Sequence, residues 1–291
     1  MGQLSGKVAL ITGATNGIGA VTARELARQG ARVFLHGRSQ SRIDATLDAI
    51  RQAVPAADVR GVKADLSDLA QVRALADTVL AQTDRLDVLV NNAGMMLMHE
   101  ERSADGYEWQ FAVNHLSHFL LTHLLLDLIR HTAAEAGEAR IVNVSSDAHK
   151  GAHIHWDTFG KSGKGFGAYS QTKLANVYFT YSLARQLAGT GVTVNAIHPG
   201  FVATGFGRTG NPGYMNMAMR LMAPFARSPE QGADTLIYVV SAPELKGVTG
   251  KYFTNRKAVA SSKVSYDENE QRRLWDLSEE LSGLRAVEPA L

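Results

Sequence analysis

Short runs of β-branched and other apolar residues alternate along the chain with stretches whose apolar positions recur at helical spacing. The runs Lys7–Thr12, Arg32–His36, Val59–Lys63, Leu86–Asn91, Arg140–Ser145, Val192–His198 and Lys251–Thr254 predict seven strands. Between them, Gly17–Gln29, Gln40–Val54, Leu69–Gln82, Tyr107–His131, Gly167–Ala188 and Pro229–Val240 predict helices, several preceded by Ser or Asp where an N-cap is needed. Strands separated by crossover helices pair in parallel, and right-handed crossovers place helices on both faces of the sheet. The predicted architecture is therefore α/β, a doubly wound parallel seven-stranded sheet. No Pro/Ser-rich linker, charge block or repeat divides the chain, so residues 1–291 are read as one domain. Two irregular insertions, 147–166 and 201–228, and a C-terminal extension, 255–291, are attached to it.

Composition narrows the class. Hydrophobic residues make up 45% of the 291 positions and charged residues 20%, which excludes a disordered or fibrous chain. Thirty Lys and Arg against 28 Asp and Glu leave +2, too little to drive binding to a phosphate backbone, so nucleic acid is not an expected partner. With no Cys there is no disulfide, no thiolate nucleophile and no Cys-based zinc site. The opening run Val8-Ala9-Leu10-Ile11 has the length of a buried strand and is too short for a signal segment. The most apolar stretch, Phe119 to Ile129, is interrupted by Thr122, His123 and Asp127, so no membrane span is predicted and a cytoplasmic location is expected.

The first strand runs into Thr12-Gly13-Ala14-Thr15-Asn16-Gly17-Ile18-Gly19, where an amphipathic helix begins. A strand, a glycine loop and a helix N-terminus bring free backbone N–H groups and the positive end of a helix dipole to one spot, suited to a pyrophosphate. A glycine string alone is common after strands; its place in the first βα unit is what points to a dinucleotide. A Rossmann unit selective for NAD(H) would carry an acidic residue at the end of the second strand to hold the ribose 2′-hydroxyl. Here that strand ends His36-Gly37-Arg38-Ser39, with a guanidinium able to clamp a 2′-phosphate and no carboxylate to repel it. NADP(H) is expected over NAD(H); the alternative for Arg38 is a solvated strand end.

Tyr169-Ser170-Gln171-Thr172-Lys173 sets a phenol and an ammonium four residues apart, on one face of a helix. A phenol with pKa near ~10 can exchange protons at neutral pH when a nearby cation stabilises its anion. By itself such a pair is a frequent accident. Its company is what matters: the glycine loop, a strand ending in Ser145-Ser146, and Asn114 on the preceding helix.

Taken together these residues resemble the short-chain dehydrogenase/reductase family, from Gly6 to about Thr254. The matching motifs are the glycine loop, Asp65-Leu66, Asn91-Asn92-Ala93-Gly94, Asn114, Val144-Ser145-Ser146, Tyr169 with Lys173, and His198-Pro199-Gly200 followed by Thr204. The resemblance implies hydride exchange between a nicotinamide and a carbonyl carbon. Tyr169 would give or take the hydroxyl proton and Ser146 would hydrogen-bond the oxygen. Lys173 would hold the ribose and depress the Tyr169 pKa, and Asn114 would hold a proton-relaying water. It also implies cofactor contacts from Gly13, Thr15, Asn16, Gly17, Ile18 and Gly19, from Asp65 and Leu66 by the adenine, and from Asn91, Ala93 and Gly94 on the adenosine side. Pro199, Gly200, Val202 and Thr204 complete the set, the last two by the nicotinamide carboxamide. Ser145 is expected to be structural.

The segment Ala148 to Asp157 and the stretch Tyr169 to Asn176 look like the retinol-dehydrogenase-like branch of that family. The membrane-anchoring N-terminus of some members of the branch has no counterpart here, so the expected substrate is a hydrophobic alcohol or carbonyl compound rather than a membrane-delivered retinoid. Met215, Met217, Met219, Leu221, Met222 and Phe225 follow His198-Pro199-Gly200 and suit a lid over such a ligand, core packing being the alternative. His149, His153 and His155, and the pair His115 and His118, carry no accompanying carboxylate pattern, so no metal site is expected, and His198 is expected to pack at a strand end. The apolar helices around Phe111–Leu128 and Ala175–Leu187 are candidates for pairing in a homo-oligomer, core packing being the equal alternative. A catalytically silent NADP(H)-sensing regulator is the competing reading. Such a protein need not keep Tyr169, Lys173, Ser146 and Asn114 together.

Overall fold

A computed structural model describes residues 2–202 and 226–284. Thr204 and the methionine-rich segment Met215 to Phe225 lie outside the described residues. All seven expected strands form: β1 (Val8–Ile11), β2 (Arg32–Gly37), β3 (Val59–Lys63), β4 (Val88–Asn91), β5 (Ala139–Val144), β6 (Val192–His198) and β7 (Tyr252–Thr254). They pair in parallel in the order β3-β2-β1-β4-β5-β6-β7. The count of seven needs correction to eight. β8 (Lys257–Val259) closes the edge antiparallel to β7 after the tight turn at Asn255 and Arg256, both at positive φ. Its three residues are all exposed, so no apolar pattern marks it.

Successive residues of each strand point to opposite faces, and both faces are covered. Leu10, Phe34, Leu89, Ile141 and Val194 pack on one side against helices α3 (Leu69–Leu80), α5 (Ser117–Leu124), α7 (Gly165–Gln186) and α9 (Glu268–Ser282). Ile11, Val33, Leu35, Val90 and Val142 pack on the other against α1 (Gly17–Arg28), α2 (Gln40–Ala53) and α8 (Pro229–Ser241). Each such side chain taken out of water contributes about 1.5–3 kcal/mol.

The helix expected over Tyr107–His131 is subdivided. After α4 (Trp109–Phe111) the backbone widens into a π turn, Ala112–Leu116, before α5, and a 57° bend separates this stretch from α6 (Leu126–Ala136). Among the described residues no single helix is long and apolar enough to cross a membrane.

Helix α7 is buried nearly all round because it is sandwiched between the sheet and α9. Trp275 of α9 meets Phe119 and Phe179 with ring centroids 5.1 and 6.0 Å away, and Arg185 reaches Gln271 at 2.5 Å. The apolar stripes of α5 and α7 are thus covered by the chain's own C-terminal extension.

Candidate active site

The strand order reverses between β1 and β4, and ligands in such sheets bind outside the C-terminal strand ends at that reversal. The glycine loop lies there. Gly13 adopts φ +62° and a Cβ at Gly19 would stand 2.5 Å from the Gly13 carbonyl, so the loop closes on itself only with glycine at both positions. Asn16 caps α1 by accepting from the Gly17 N–H at 2.7 Å. Thr15 and Ile18 are half-buried. The hydroxyl of Thr12 organises the neighbourhood: it accepts from the N–H groups of Asn92 (2.9 Å) and Ala93 (3.0 Å) and meets His118 Nε2 at 3.0 Å.

His36 ties this loop to the next strand. The Gly13 N–H donates to its Nδ1 (3.1 Å), and its Nε2 donates to the Ala64 carbonyl (3.1 Å). Burial holds its pKa down at about 4, so the ring is neutral. A polar residue closing the run Val33-Phe34-Leu35 was the only sequence signal for this role. Beyond it Arg38 is exposed and makes no ion pair among the described residues.

Ser146, Tyr169 and Lys173 converge at the ends of β5 and α7. The Tyr169 hydroxyl faces the Ser146 side chain, and the Lys173 ammonium stands 5.5 Å from the centroid of the Tyr169 ring. Burial pushes the phenol above its ordinary range, Ser146 acting in the opposite direction. Lys173 was expected to depress the phenol; in the protein by itself desolvation governs instead. Lys173 is 3% exposed, pushed down to about 8 by burial, and donates to the Val144 carbonyl at 3.0 Å. Ser145 donates to the Lys173 carbonyl at 2.7 Å, the structural part expected of it.

Asn114 sits within the π turn and is fully buried. Its Oδ1 accepts from the Met95 N–H (2.8 Å) while its Nδ2 donates to the Met95 carbonyl (2.9 Å) and to Thr172 (3.1 Å). The side chain therefore clamps the loop after β4 onto α7. Gly94 lies beneath this clamp: a Cβ there would be 3.2 Å from Lys173 Nζ and 3.3 Å from Asn114 Oδ1.

Other expected contacts have their side chains committed elsewhere. Asn91 is 1% exposed and its Nδ2 donates to Thr122 and Asn143, inside the sheet. Leu66 is core, and Asp65 accepts from the N–H (2.9 Å) and hydroxyl (2.8 Å) of Ser67. Any contact from Asn91 or Leu66 must come from the backbone. Pro199 and Gly200 remain half-buried, and Val202, buried, pairs with Arg227 as the chain re-enters.

These residues fit a nicotinamide dinucleotide. The buried Lys173 ammonium spends one hydrogen bond among the described residues and faces the space that Gly94 keeps clear by lacking a side chain. An ammonium withdrawn from water with donors unspent suits vicinal sugar hydroxyls.

The chain belongs to the short-chain dehydrogenase family, whose model matches residues 7–214, and is an oxidoreductase of that class. Within it the chain stands in the retinol-dehydrogenase-like branch. It is 42% identical to human retinol dehydrogenase 14 over 301 residues, covering 97% of this chain and 88% of that protein. Among solved structures, an uncharacterized protein from Mycobacterium paratuberculosis aligns over 97% of this chain and 96% of its own, with a TM-score of 0.76 and 32% identity. The Pseudomonas aeruginosa RhlG/NADP complex aligns over 86% of this chain and 94% of its own (TM-score 0.69, 30% identity). A Brucella melitensis 3-ketoacyl-(acyl-carrier-protein) reductase complexed with NADH covers 86% and 96% (TM-score 0.68, 27% identity).

Proposed function

We propose that the chain interconverts a hydrophobic alcohol and its ketone or aldehyde with NADP(H) as the preferred cofactor. The bound nicotinamide supplies or accepts the hydride. Ser146 donates a hydrogen bond to the substrate oxygen, and Tyr169, joined to Ser146 in the same cluster, gives or takes that oxygen's proton. Lys173 holds the ribose hydroxyls through the donors it does not spend on Val144, and Asn114 keeps Gly94 and Lys173 in register.

Preference for the 2′-phosphate rests on Arg38, exposed just past the end of β2 and in no ion pair among the described residues. Relatives named retinol dehydrogenases support an apolar substrate. A silent sensor is disfavoured, since sensing would not require Ser146 and Tyr169 to be kept together beside Lys173.

The observation that carries this reading is the buried, singly bonded ammonium beside the Ser146–Tyr169 pair. NADPH and NADH oxidation measured across a panel of lipophilic ketones and aldehydes tests it. Turnover with NADPH is expected, and purified protein that neither takes up a dinucleotide nor consumes it overturns the reading.

A further inference from the structure

His149 ends the single 3-10 turn, Asp147–His149, that directly follows Ser146, and it is fully buried. Its two ring nitrogens face backbone groups of opposite kind. The Ser146 carbonyl, 2.7 Å from Nδ1, can only accept, so Nδ1 carries the proton. The Ser262 N–H donates to Nε2 at 3.0 Å, so Nε2 is bare. Both partners select one neutral tautomer, and burial, lowering the ring's pKa, favours the same state. The ring also packs on Tyr252, 4.8 Å between centroids, whose hydroxyl donates to Asp147 at 3.0 Å.

Ser262 belongs to the C-terminal extension, and the strand of chain around it is firmly held. Ser261 meets the Tyr181 hydroxyl at 2.7 Å, and Gln271 Nε2 donates to the Ser265 carbonyl at 2.7 Å. A continuous path of hydrogen bonds therefore runs from the extension through His149 to the peptide of Ser146. The direction of a hydroxyl aimed at a developing oxyanion depends on its own backbone, and misplacement by about 1 Å costs on the order of a hundredfold in rate.

We propose that His149 is a positioning residue for Ser146, and that residues 261–266, beyond the span 7–214 matched by the family model, are a working part of the active site. His149 touches neither substrate nor cofactor; it fixes the peptide from which the Ser146 hydroxyl projects. This rests on the reading of Ser146 as donor to the substrate oxygen.

Three variants separate the links. His149→Asn keeps an amide donor near the position of Nδ1 and loses the acceptor for Ser262. His149→Gln keeps an acceptor near Nε2 and leaves the Ser146 carbonyl without its donor. Ser262→Pro deletes the N–H that Nε2 accepts, at a residue whose φ of −62° proline adopts without strain. For His149→Gln kcat should fall about tenfold or more, with KM and NADPH Kd within about twofold. For His149→Asn and Ser262→Pro, each of which breaks only the link to the Ser262 N–H, kcat should fall by the same smaller factor, about threefold. NADPH binding, followed by fluorescence, reports an intact fold in each. Equal losses in the Asn and Gln variants, or unchanged kcat in both His149→Gln and Ser262→Pro, overturn the proposal. Turnover surviving Ser146→Ala overturns instead the reading on which it rests.

Discussion

Gly94 and Lys173 meet across the space where the cofactor sugar is proposed to bind: a methyl group on Gly94 would lie 3.2 Å from the lysine's Nζ, tighter than an ordinary contact. The ammonium cannot retreat easily, because it is buried and bonded to Val144. The glycine is therefore spatial in purpose rather than conformational.

Gly94→Ala should accordingly weaken dinucleotide binding by about tenfold, or about 1.4 kcal/mol, with little change in thermal stability. Fluorescence titration beside a thermal melt measures both. Unchanged affinity would show that Lys173 does not share this space with the sugar.

Arg38 stands exposed just past the end of β2, in no ion pair among the described residues. Arg38→Ala should raise the Kd for NADPH by about tenfold or more and that for NADH by less than about twofold. Parallel titrations decide the matter, and an equal effect on both cofactors would assign Arg38 to solvent.

Three histidines are buried: His36 and His115, each held down at about 4, and His118, held down at about 3, all by burial. Their folded pKa values lie below the unfolded value near ~6.5, so the unfolded chain binds more protons between the two. Stability from these groups is full above about pH 6.5 and drains as pH falls towards 4, each neutral ring withdrawing up to about 1.4 kcal/mol per pH unit. Thermal melts should fall by several degrees between pH 7.5 and about 5.5, and His36→Asn should flatten part of that slope. A melting temperature indifferent to pH across this window would contradict the neutral state assigned to these rings.

What the sequence made legible follows physical range. Strands buried on both faces, such as β1 and β4, write continuous or near-continuous apolar runs and could be read, whereas Lys257-Ala258-Val259 pairs through its backbone with all three side chains in water and left no pattern. The stretch Tyr107–His131 reads as one helix because nothing between Trp109 and Ala136 is a helix breaker; its π turn and bend become visible only in three dimensions. Ser146, Tyr169 and Lys173 were legible as motifs, and the fold brings them together. The tasks of His36 and His149 depend on partners distant in sequence, Ala64 and Ser262, which no local spacing reveals. Asn91 shows the converse: its motif is recognisable, yet its amide is spent inside the sheet on Thr122 and Asn143. The pairing face foreseen on α5 and α7 was readable as apolar, but its cover, Trp275 on α9, comes from far along the chain.

The account depends most on the Tyr169 hydroxyl, and replacing only that oxygen tests it most directly. Tyr169→Phe keeps the ring beside Lys173 and removes the hydroxyl that faces Ser146. NADPH oxidation with the best carbonyl substrate should then fall by at least about a thousandfold while NADPH Kd stays within about tenfold. Undiminished turnover in that variant would remove Tyr169 from the chemistry and contradict the mechanism.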